Sequence, residues 1–295
     1  MKELTVTHHG SGVSGIEVDA ATQHENHVFE LTDVRKSFSA KAGALGAVDG
    51  VDLSVKVGEF VSLLGPSGCG KSTLLNMMAG LIAPDAGTVA YEGNAIVSAN
   101  TSAGYLTQDD ALLPWRSVRG NIGLPLEIRG VPRAERRARV DEQIRAVGLD
   151  GFAGHYPSQL SGGMRKRVSI ARTLIYQPKT LLLDEPFGAL DAQTKIVLQE
   201  QLLELRERLK LTVVMVTHDI NEAVKLSDRI VIFTRRPAKV KAVVAVPAAR
   251  PRDLINSNED EEKLKAVVWN NLGAELREQK QGTDGPGDAA SREPR

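Results

Sequence analysis

The chain has little that suits a secreted or membrane-spanning protein. Of its 295 residues only Cys69 is a cysteine, so no disulfide can form within it, which fits a reducing compartment. Residues 1–15 are polar and lack the apolar core of about 7–15 residues that secretory signals carry, so we expect no such signal. No apolar run reaches the ~18 residues that a membrane helix needs. We therefore expect any role at a membrane to depend on a partner protein.

A surplus of basic charge is also absent. Lys and Arg total 37, and Asp and Glu also total 37, so the formal charge is zero. Dedicated nucleic-acid-binding proteins normally carry a basic surplus, and we therefore expect no nucleic acid among the partners. The hydrophobic fraction of 42% and the charged fraction of 25% are those of an ordinary globular protein with a full core.

The composition and hydrophobic periodicity of the sequence predict four regions. Residues 1–26 show little periodicity and are expected to form a flexible N-terminal tail. Over 27–247, short apolar runs of the buried-strand type alternate with amphipathic helices, which indicates a parallel sheet covered by helices. A C-terminal helical extension with Trp269 as its packing anchor is expected over 248–279. A disordered tail is expected over 280–295.

The strongest motif is a glycine-rich loop, which we call the phosphate loop: Gly65-Pro66-Ser67-Gly68-Cys69-Gly70-Lys71-Ser72-Thr73. It matches G-x-x-x-x-G-K-[ST] and lies between a predicted strand and a predicted helix, as that pattern requires. Glycines let backbone N–H groups turn towards phosphate oxygens, and the helix N-terminus adds partial positive charge. The motif therefore predicts that Lys71 reaches the β- and γ-phosphates of a nucleotide and that Ser72 ligates Mg²⁺.

Polar residues at predicted strand ends are expected to complete this site. An apolar strand ends in Asp184, which would hold Mg²⁺ through water, and in Glu185, which would polarise the attacking water. His218 follows a second buried strand and would contact the γ-phosphate in the same cleft, although an isolated histidine is more often a structural hydrogen-bonding group. Gln108, after another predicted strand, would offer its amide oxygen to the metal.

A second anion site is predicted at the signature segment, Leu160-Ser161-Gly162-Gly163-Met164. In a Ser-Gly-Gly turn that opens a helix, the N–H groups and the helix dipole point the same way. A plain loop and helix start is the alternative explanation of this segment taken alone. Because the chain already has one phosphate-binding loop, a second one makes sense if it serves the nucleotide of another subunit.

These motifs, in this order, resemble those of the ATP-binding cassette (ABC) family. The resemblance implies an α/β fold, with a P-loop NTPase (RecA-like) core, an antiparallel β subdomain and a helical signature subdomain at about 107–178. It also implies ATP and Mg²⁺ as cofactors, adenine stacking on Phe38, and a head-to-tail dimer. Each ATP would lie between Lys71 of one chain and the signature segment of the other, with Asp191 at the dimer seam.

Finer segments are similar to importers of the nitrate, sulfonate and taurine type, namely Leu112-Leu113-Pro114-Trp115-Arg116 and Asp184-Glu185-Pro186-Phe187-Gly188-Ala189-Leu190-Asp191. Lys166 is a departure, because this branch commonly has glutamine there. The branch implies a peripheral ATPase at the cytoplasmic face of the inner membrane. It would bind transmembrane permease subunits and be served indirectly by a periplasmic solute-binding protein.

The segment that follows Gln108 is the candidate for contact with the permease. Leu112, Leu113 and Trp115 would act as contact anchors there, and packing inside the helical subdomain is their alternative role.

Two other functions use a similar loop. A soluble cassette ATPase acting on ribosomes or DNA usually joins two cassettes or carries a long coiled-coil insertion, whereas this sequence has one phosphate loop and no such insertion. A small-molecule kinase does not explain the Ser-Gly-Gly turn at Ser161. The sequence therefore favours a transport ATPase.

Overall fold

The computed structural model describes residues 6–8, 26–40, 43–188, 190–247 and 252–281. Most of the tail predicted over 1–26, and the tail predicted over 280–295 apart from its first two residues, lie outside these ranges. In chain order the strands are β1 (Val6–His8), β2 (His27–Ala40), β3 (Gly43–Lys56), β4 (Phe60–Leu64), β5 (Ala86–Tyr91), β6 (Asn94–Ala95), β7 (Ala103–Leu106), β8 (Thr180–Asp184), β9 (Thr212–Thr217), β10 (Arg229–Phe233) and β11 (Val240–Ala245). The helices are α1 (Lys71–Met78), α2 (Val118–Ile128), α3 (Arg133–Ala146), α4 (Gly162–Leu174), α5 (Ala192–Leu209), α6 (Ile220–Leu226) and α7 (Glu259–Gln281).

The larger sheet has the strand order β1-β11-β10-β4-β9-β8-β7. The five strands from β10 to β7 are parallel, and β11 and β1 add an antiparallel edge. Every residue of β4, β8 and β9 is buried, as expected for parallel strands covered on both faces. The predicted α/β core is confirmed. Within the predicted N-terminal tail, the backbone of β1 pairs with β11, which the local sequence does not indicate.

The smaller sheet is antiparallel, with the order β3-β2-β5-β6, and it confirms the predicted β subdomain. It is joined to the core by Tyr91, whose ring meets that of Phe29 edge-on at 5.0 Å between centroids. The Tyr91 hydroxyl lies 3.2 Å from Thr180 Oγ1 at the start of β8. This contact fixes the subdomain against the strand that carries the acidic residues of the site.

Helices α2, α3 and α4 form the helical lobe, which confirms the predicted helical signature subdomain. They pack around their own apolar core, whose fully or nearly fully buried members include Val118, Ile122, Leu126, Val140, Ile144, Leu160, Val168 and Ala171. The sequence pattern did not reveal α2, which runs through Pro125. Because the lobe has a separate core, it forms a packing unit distinct from the sheet that carries the phosphate loop.

Helix α7 covers β10, β11 and α6 with Leu264, Val268 and Leu272, an i, i+4, i+8 stripe. The prediction that Trp269 anchors this helix is wrong, because it follows Val268 on the helix surface and its side chain is 54% exposed. The extension is also held by a buried ion pair, Lys225 Nζ to Glu261 Oε2 at 2.6 Å. Within the described part of the chain, no helix combines the length and hydrophobicity that a membrane crossing requires.

Candidate active site

The phosphate loop leaves the buried strand β4 and ends where α1 begins at Lys71. Gly68 and Gly70 have φ values of 74° and 126°, in the region that favours glycine. A Cβ at Gly70 would lie 2.3 Å from the carbonyl oxygen of Ala47, so only glycine fits at that point. Pro66 and Cys69 are buried, whereas Ser67 and Gly68 face solvent. The loop therefore lies at the carboxyl end of the parallel sheet with Ser67 and Gly68 open to solvent.

Lys71 folds back onto the start of the phosphate loop. Its side chain is buried, and Nζ donates to the carbonyl oxygens of Gly65 and Pro66, at 2.8 Å in both cases. A buried ammonium group needs strong acceptors, and the two carbonyls supply them. Phosphate oxygens would be stronger acceptors for the same group because they are charged. A phosphate at this loop would therefore be able to replace the carbonyl contacts of Lys71.

Ser72 and Asp184, two of the residues predicted to hold the metal, lie in contact. Ser72 Oγ donates to Asp184 Oδ1 at 3.0 Å, although the two residues are 112 positions apart in the sequence. Burial raises the pKa of Asp184 above its ordinary value; the Ser72 hydrogen bond opposes this shift, Glu185 adds to it and Lys71 opposes it. A cation beside the carboxylate would favour its charged form and so lower this pKa.

The donor set at this pair fits Mg²⁺. A hydroxyl and a carboxylate are hard oxygen ligands, and Mg²⁺ in phosphate sites uses one or two such groups together with substrate phosphates and water. Among the residues that the structure describes, no group of three or more His, Cys, Asp or Glu side chains forms a complete metal cage. That Ser72 and Asp184 hold Mg²⁺ stays a prediction.

Glu185 and His218 are brought together at the ends of neighbouring strands. The Glu185 N–H donates to the carbonyl oxygen of Val216 at 3.0 Å, and Glu185 Oε2 lies 3.3 Å from His218 Nδ1. Glu185 has φ of 44°, a conformation that non-glycine residues adopt rarely and that concentrates at functional sites. The carboxylate is 20% exposed and the imidazole 55%, so both can reach a molecule in the cleft.

A hydrogen-bond network that the sequence analysis missed holds the two residues that flank His218. Lys195 Nζ lies 2.7 Å from Asp219 Oδ2 and 2.8 Å from Glu222 Oε1. Thr217 Oγ1 donates to Glu222 Oε2 at 2.5 Å. These contacts fix the residues on both sides of His218, so the turn between β9 and α6 is held in place before any ligand binds.

The signature segment lies in the helical lobe. Ser161 caps α4, its Oγ accepting from the Met164 N–H at 3.2 Å, while Leu160 is buried in the core of the lobe. A Cβ at Gly163 would lie 3.6 Å from Leu190 Cδ2, so this glycine faces the segment that contains Asp191. The anion site predicted here thus has the helix N-terminus that it requires.

The three remaining predicted residues are placed as follows. Phe38 is 40% exposed on β2, and Lys36 Nζ lies 5.8 Å from the centroid of its ring. The Gln108 side chain is exposed, and its backbone oxygen accepts from Lys166 Nζ at 3.1 Å. Asp191 caps α5 by accepting from the Thr194 N–H at 3.0 Å, which holds the pKa of its carboxyl below the ordinary value. The contacts that Phe38, Gln108 and Asp191 would make with a ligand stay predictions.

Comparison with known proteins decides the family. A sequence model of the family described as ABC transporter matches residues 48–188. The aliphatic sulfonates import ATP-binding protein SsuB of Bacillus cereus is 41% identical over 238 residues, which cover 81% of this chain and 93% of that protein. The chain belongs to the ABC transporter family. It is an ATP-binding subunit of the importer branch, and proteins of this family are ATPases.

Two further relatives of this ABC subunit are informative. The nitrate import ATP-binding protein NrtD of Synechocystis is 40% identical over 217 residues, 74% of this chain and 82% of the relative. The bicarbonate transport ATP-binding protein CmpC of Synechococcus elongatus is 50% identical over 226 residues, 75% of this chain. That match covers 34% of CmpC, so the ABC subunit spans about a third of the length of this relative.

A solved structure with the same fold is a dimer. It is described as the dimeric structure of a post-hydrolysis state of the ATP-binding cassette MJ0796 bound to ADP and Pi. It is 34% identical to the ABC subunit with a TM-score of 0.69, and the match covers 75% of this chain and 100% of that one. The P-loop ATPase fold that the motifs predicted is thereby confirmed.

Proposed function

We propose that this ATPase subunit works as a head-to-tail pair that closes around two Mg²⁺·ATP and drives the import of a small oxyanion through a membrane permease. The observation that carries this proposal is the presence of two anion-binding elements in separate packing units. The phosphate loop belongs to the sheet core, and the Ser161-capped N-terminus of α4 belongs to the helical lobe. The dimeric state of the solved relative supports the pairing.

Each residue of the site has a defined task in hydrolysis. Lys71 would bind the β- and γ-phosphates, and the ring of Phe38 would stack on adenine. Ser72, Asp184 and Gln108 would hold Mg²⁺, which neutralises developing phosphate charge when bound. Glu185 would accept a proton from the attacking water.

The chemical step itself is simple. The water oxygen bonds to the γ-phosphorus while the bond from that phosphorus to its bridging oxygen breaks, which leaves ADP and phosphate. The His218 imidazole, next to Glu185 Oε2, would orient that carboxylate and contact the γ-phosphate. The signature segment of the other copy would supply N–H groups to the same phosphate, so pairing would complete the site.

The surface for the permease is the loop of residues 112–116. Asn121 is fully buried and holds this loop, because its Nδ2 donates to the carbonyl oxygens of Leu113 and Arg116 at 3.1 and 2.9 Å. Leu112 packs against the core of the helical lobe, which matches the alternative role that the sequence left open for it. Trp115 is 72% exposed on this rigid loop and remains the candidate anchor. The subunit would then sit peripherally at the cytoplasmic face of the inner membrane.

Replacement of Trp115 by alanine is expected to lower solute uptake several-fold and to leave the ATPase rate of the isolated subunit unchanged. The reason is that an exposed aromatic anchor contributes to binding a partner and little to folding. Uptake is measured in a strain that lacks the chromosomal gene. Ile255→Ala is the matched control, because Ile255 is also 72% exposed but lies in the C-terminal extension. Normal uptake by the Trp115 variant would remove this loop from the permease interface.

The solute is assigned by its chemistry. The relatives named above serve nitrate, bicarbonate and aliphatic sulfonates, which are all small oxyanions. Deletion of the gene is therefore expected to abolish high-affinity uptake of one labelled oxyanion among nitrate, bicarbonate, an alkanesulfonate and taurine. Expression of the parent chain in the deletion strain should restore this uptake. A periplasmic solute-binding protein and a permease encoded beside the gene would support the assignment, and unchanged uptake of all four would contradict it.

A further inference from the structure

Lys166 is a buried charge that the ATPase mechanism does not use. Its side chain is 5% exposed, although it lies one turn into α4, at the start of the helical lobe. Nζ donates to the carbonyl oxygens of Thr107 at 3.2 Å and Gln108 at 3.1 Å. These carbonyls belong to the segment 107–111, here called the glutamine loop, which follows β7 and carries a predicted metal ligand. The ammonium group therefore joins the helix of the signature segment to that ligand.

Three neighbours on the same side of α4 hold the next residues of the glutamine loop. Arg165 Nε lies 3.3 Å from Asp110 Oδ2, and Ser169 Oγ donates to the carbonyl oxygen of Asp110. Arg172 donates to the carbonyl oxygen of Ala111 at 2.8 Å. The positions 165, 169 and 172 are spaced i, i+4, i+7, so they form one helix face. Lys166 extends this face towards Gln108.

Burial and the neighbouring carboxylates act on the charge of Lys166 in opposite directions. Burial lowers the pKa of Lys166, and Asp110, Asp184, Asp109 and Glu185 oppose that shift through their charges. Two of these carboxylates, Asp184 and Glu185, belong to the active site. The ammonium group thus lies within electrostatic reach of the predicted metal and water sites.

We propose that Lys166 is a positioning residue that fixes the backbone of Thr107 and Gln108 to helix α4 and so sets where the Gln108 side chain meets the metal. Movement of the helical lobe would then shift Gln108 directly, because the two carbonyl contacts move with the helix. The metal part of this inference rests on the proposed function, whereas the backbone part does not.

The backbone part is tested in nucleotide-free, full-length protein with a spin label. Cys69 is the only cysteine, so Cys69→Ala combined with Gln108→Cys gives one labelling position, and Lys166 keeps its contacts because they go to backbone oxygens. In this background Lys166→Met is expected to sharpen the nitroxide spectrum, which reports faster motion at position 108. Lys166→Arg should restore the broad spectrum, since it retains charge and donors. A spectrum that Lys166→Met leaves unchanged would overturn the proposal.

The neighbouring Arg167 provides the matched control. It carries the same charge on the same helix, but its guanidinium contacts the carbonyl oxygens of Val147 and Gly148, at the end of α3, both at 3.4 Å. Arg167→Met is expected to leave the label at position 108 unchanged. Thermal unfolding of each variant shows whether it is folded. If both substitutions sharpen the spectrum equally, the effect is a general loosening of α4 and the positioning role is overturned.

The metal part is tested by Mn²⁺ binding in the presence of ATP, in unlabelled protein with Glu185→Gln to block turnover. Groups that orient a metal ligand typically contribute about 10–100-fold to metal affinity, so Lys166→Met is expected to weaken Mn²⁺ binding about tenfold. Lys166→Arg and Arg167→Met should bind as the Glu185→Gln parent does. Equal Mn²⁺ affinity in the Lys166→Met protein would overturn the link to the metal. Failure of the paired ATPase function would instead appear as absent ATP-driven pairing in the parent.

Discussion

Glu185→Gln is expected to lower the rate of ATP hydrolysis at least ~10²-fold, the usual scale for loss of a general base, while ATP binding persists. The amide has the shape of the carboxylate but cannot take the proton from water. Lys71, Ser72 and Asp184 remain in place to bind the phosphates and the metal. The variant should therefore accumulate as an ATP-bound pair, because closure is retained and turnover is blocked.

Two measurements on the Glu185→Gln protein check this expectation. Phosphate release gives the hydrolysis rate, and sedimentation velocity with Mg²⁺·ATP gives the oligomeric state. Glu92→Gln is the matched control, because Glu92 also has a positive φ, of 47°, but lies in the turn between β5 and β6. It should hydrolyse ATP at the parent rate. If Glu185→Gln does the same, another base must activate the water.

The sequence predicted those parts of the candidate site that depend on a few consecutive residues. The phosphate loop needs glycine where a Cβ would meet the Ala47 oxygen, and Gly70 stands at that point. The end of β8 needs a metal-binding carboxylate, and Asp184 follows three buried leucines. Such local constraints fix residue type and spacing together, so the pattern alone predicts both the loop and the parallel sheet around it.

Contacts between distant segments could not be predicted in the same way. Arg165, Lys166 and Arg167 are three consecutive basic residues that point in different directions on α4, and the direction of Lys166 places its ammonium group on carbonyls 58 and 59 positions away. The exposure of Trp269 has the same origin, because helix α7 turns Val268 to the core instead. Local composition does not record which face of a helix meets the rest of the fold, so these features required the packed structure.

Mixing two inactive variants, Lys71→Ala and Gly162→Asp, is expected to recover about a quarter of the parent ATPase activity. Random pairing of equal amounts makes about half of all pairs mixed, and each mixed pair holds one site in which the intact Lys71 faces the intact signature segment. The other site of the pair carries both defects. Recovery without any new covalent change would mean that the two elements act on one nucleotide from different copies.

Each variant is chosen so that its defect is local. Lys71→Ala removes the charge that compensates phosphate, a loss of the order of 10²–10³ in rate for a single electrostatic group. Gly162→Asp places a carboxylate beside the phosphate of the partner copy. The fold should accept this residue, because a Cβ at Gly162 meets only the Arg165 guanidinium at 3.7 Å. An acidic side chain also suits the first turn of a helix.

The control for the mixing experiment is Lys71→Ala mixed with the Lys71→Ala, Gly162→Asp double variant, which should stay inactive because no pair contains an intact phosphate loop. Activity in Gly162→Asp alone at the parent rate would mean that the N-terminus of α4 does not meet the nucleotide. A mixture that stays inactive while both variants bind and pair normally would mean that each copy hydrolyses ATP with its own residues. In that case the Ser161 cap would serve only to begin a helix.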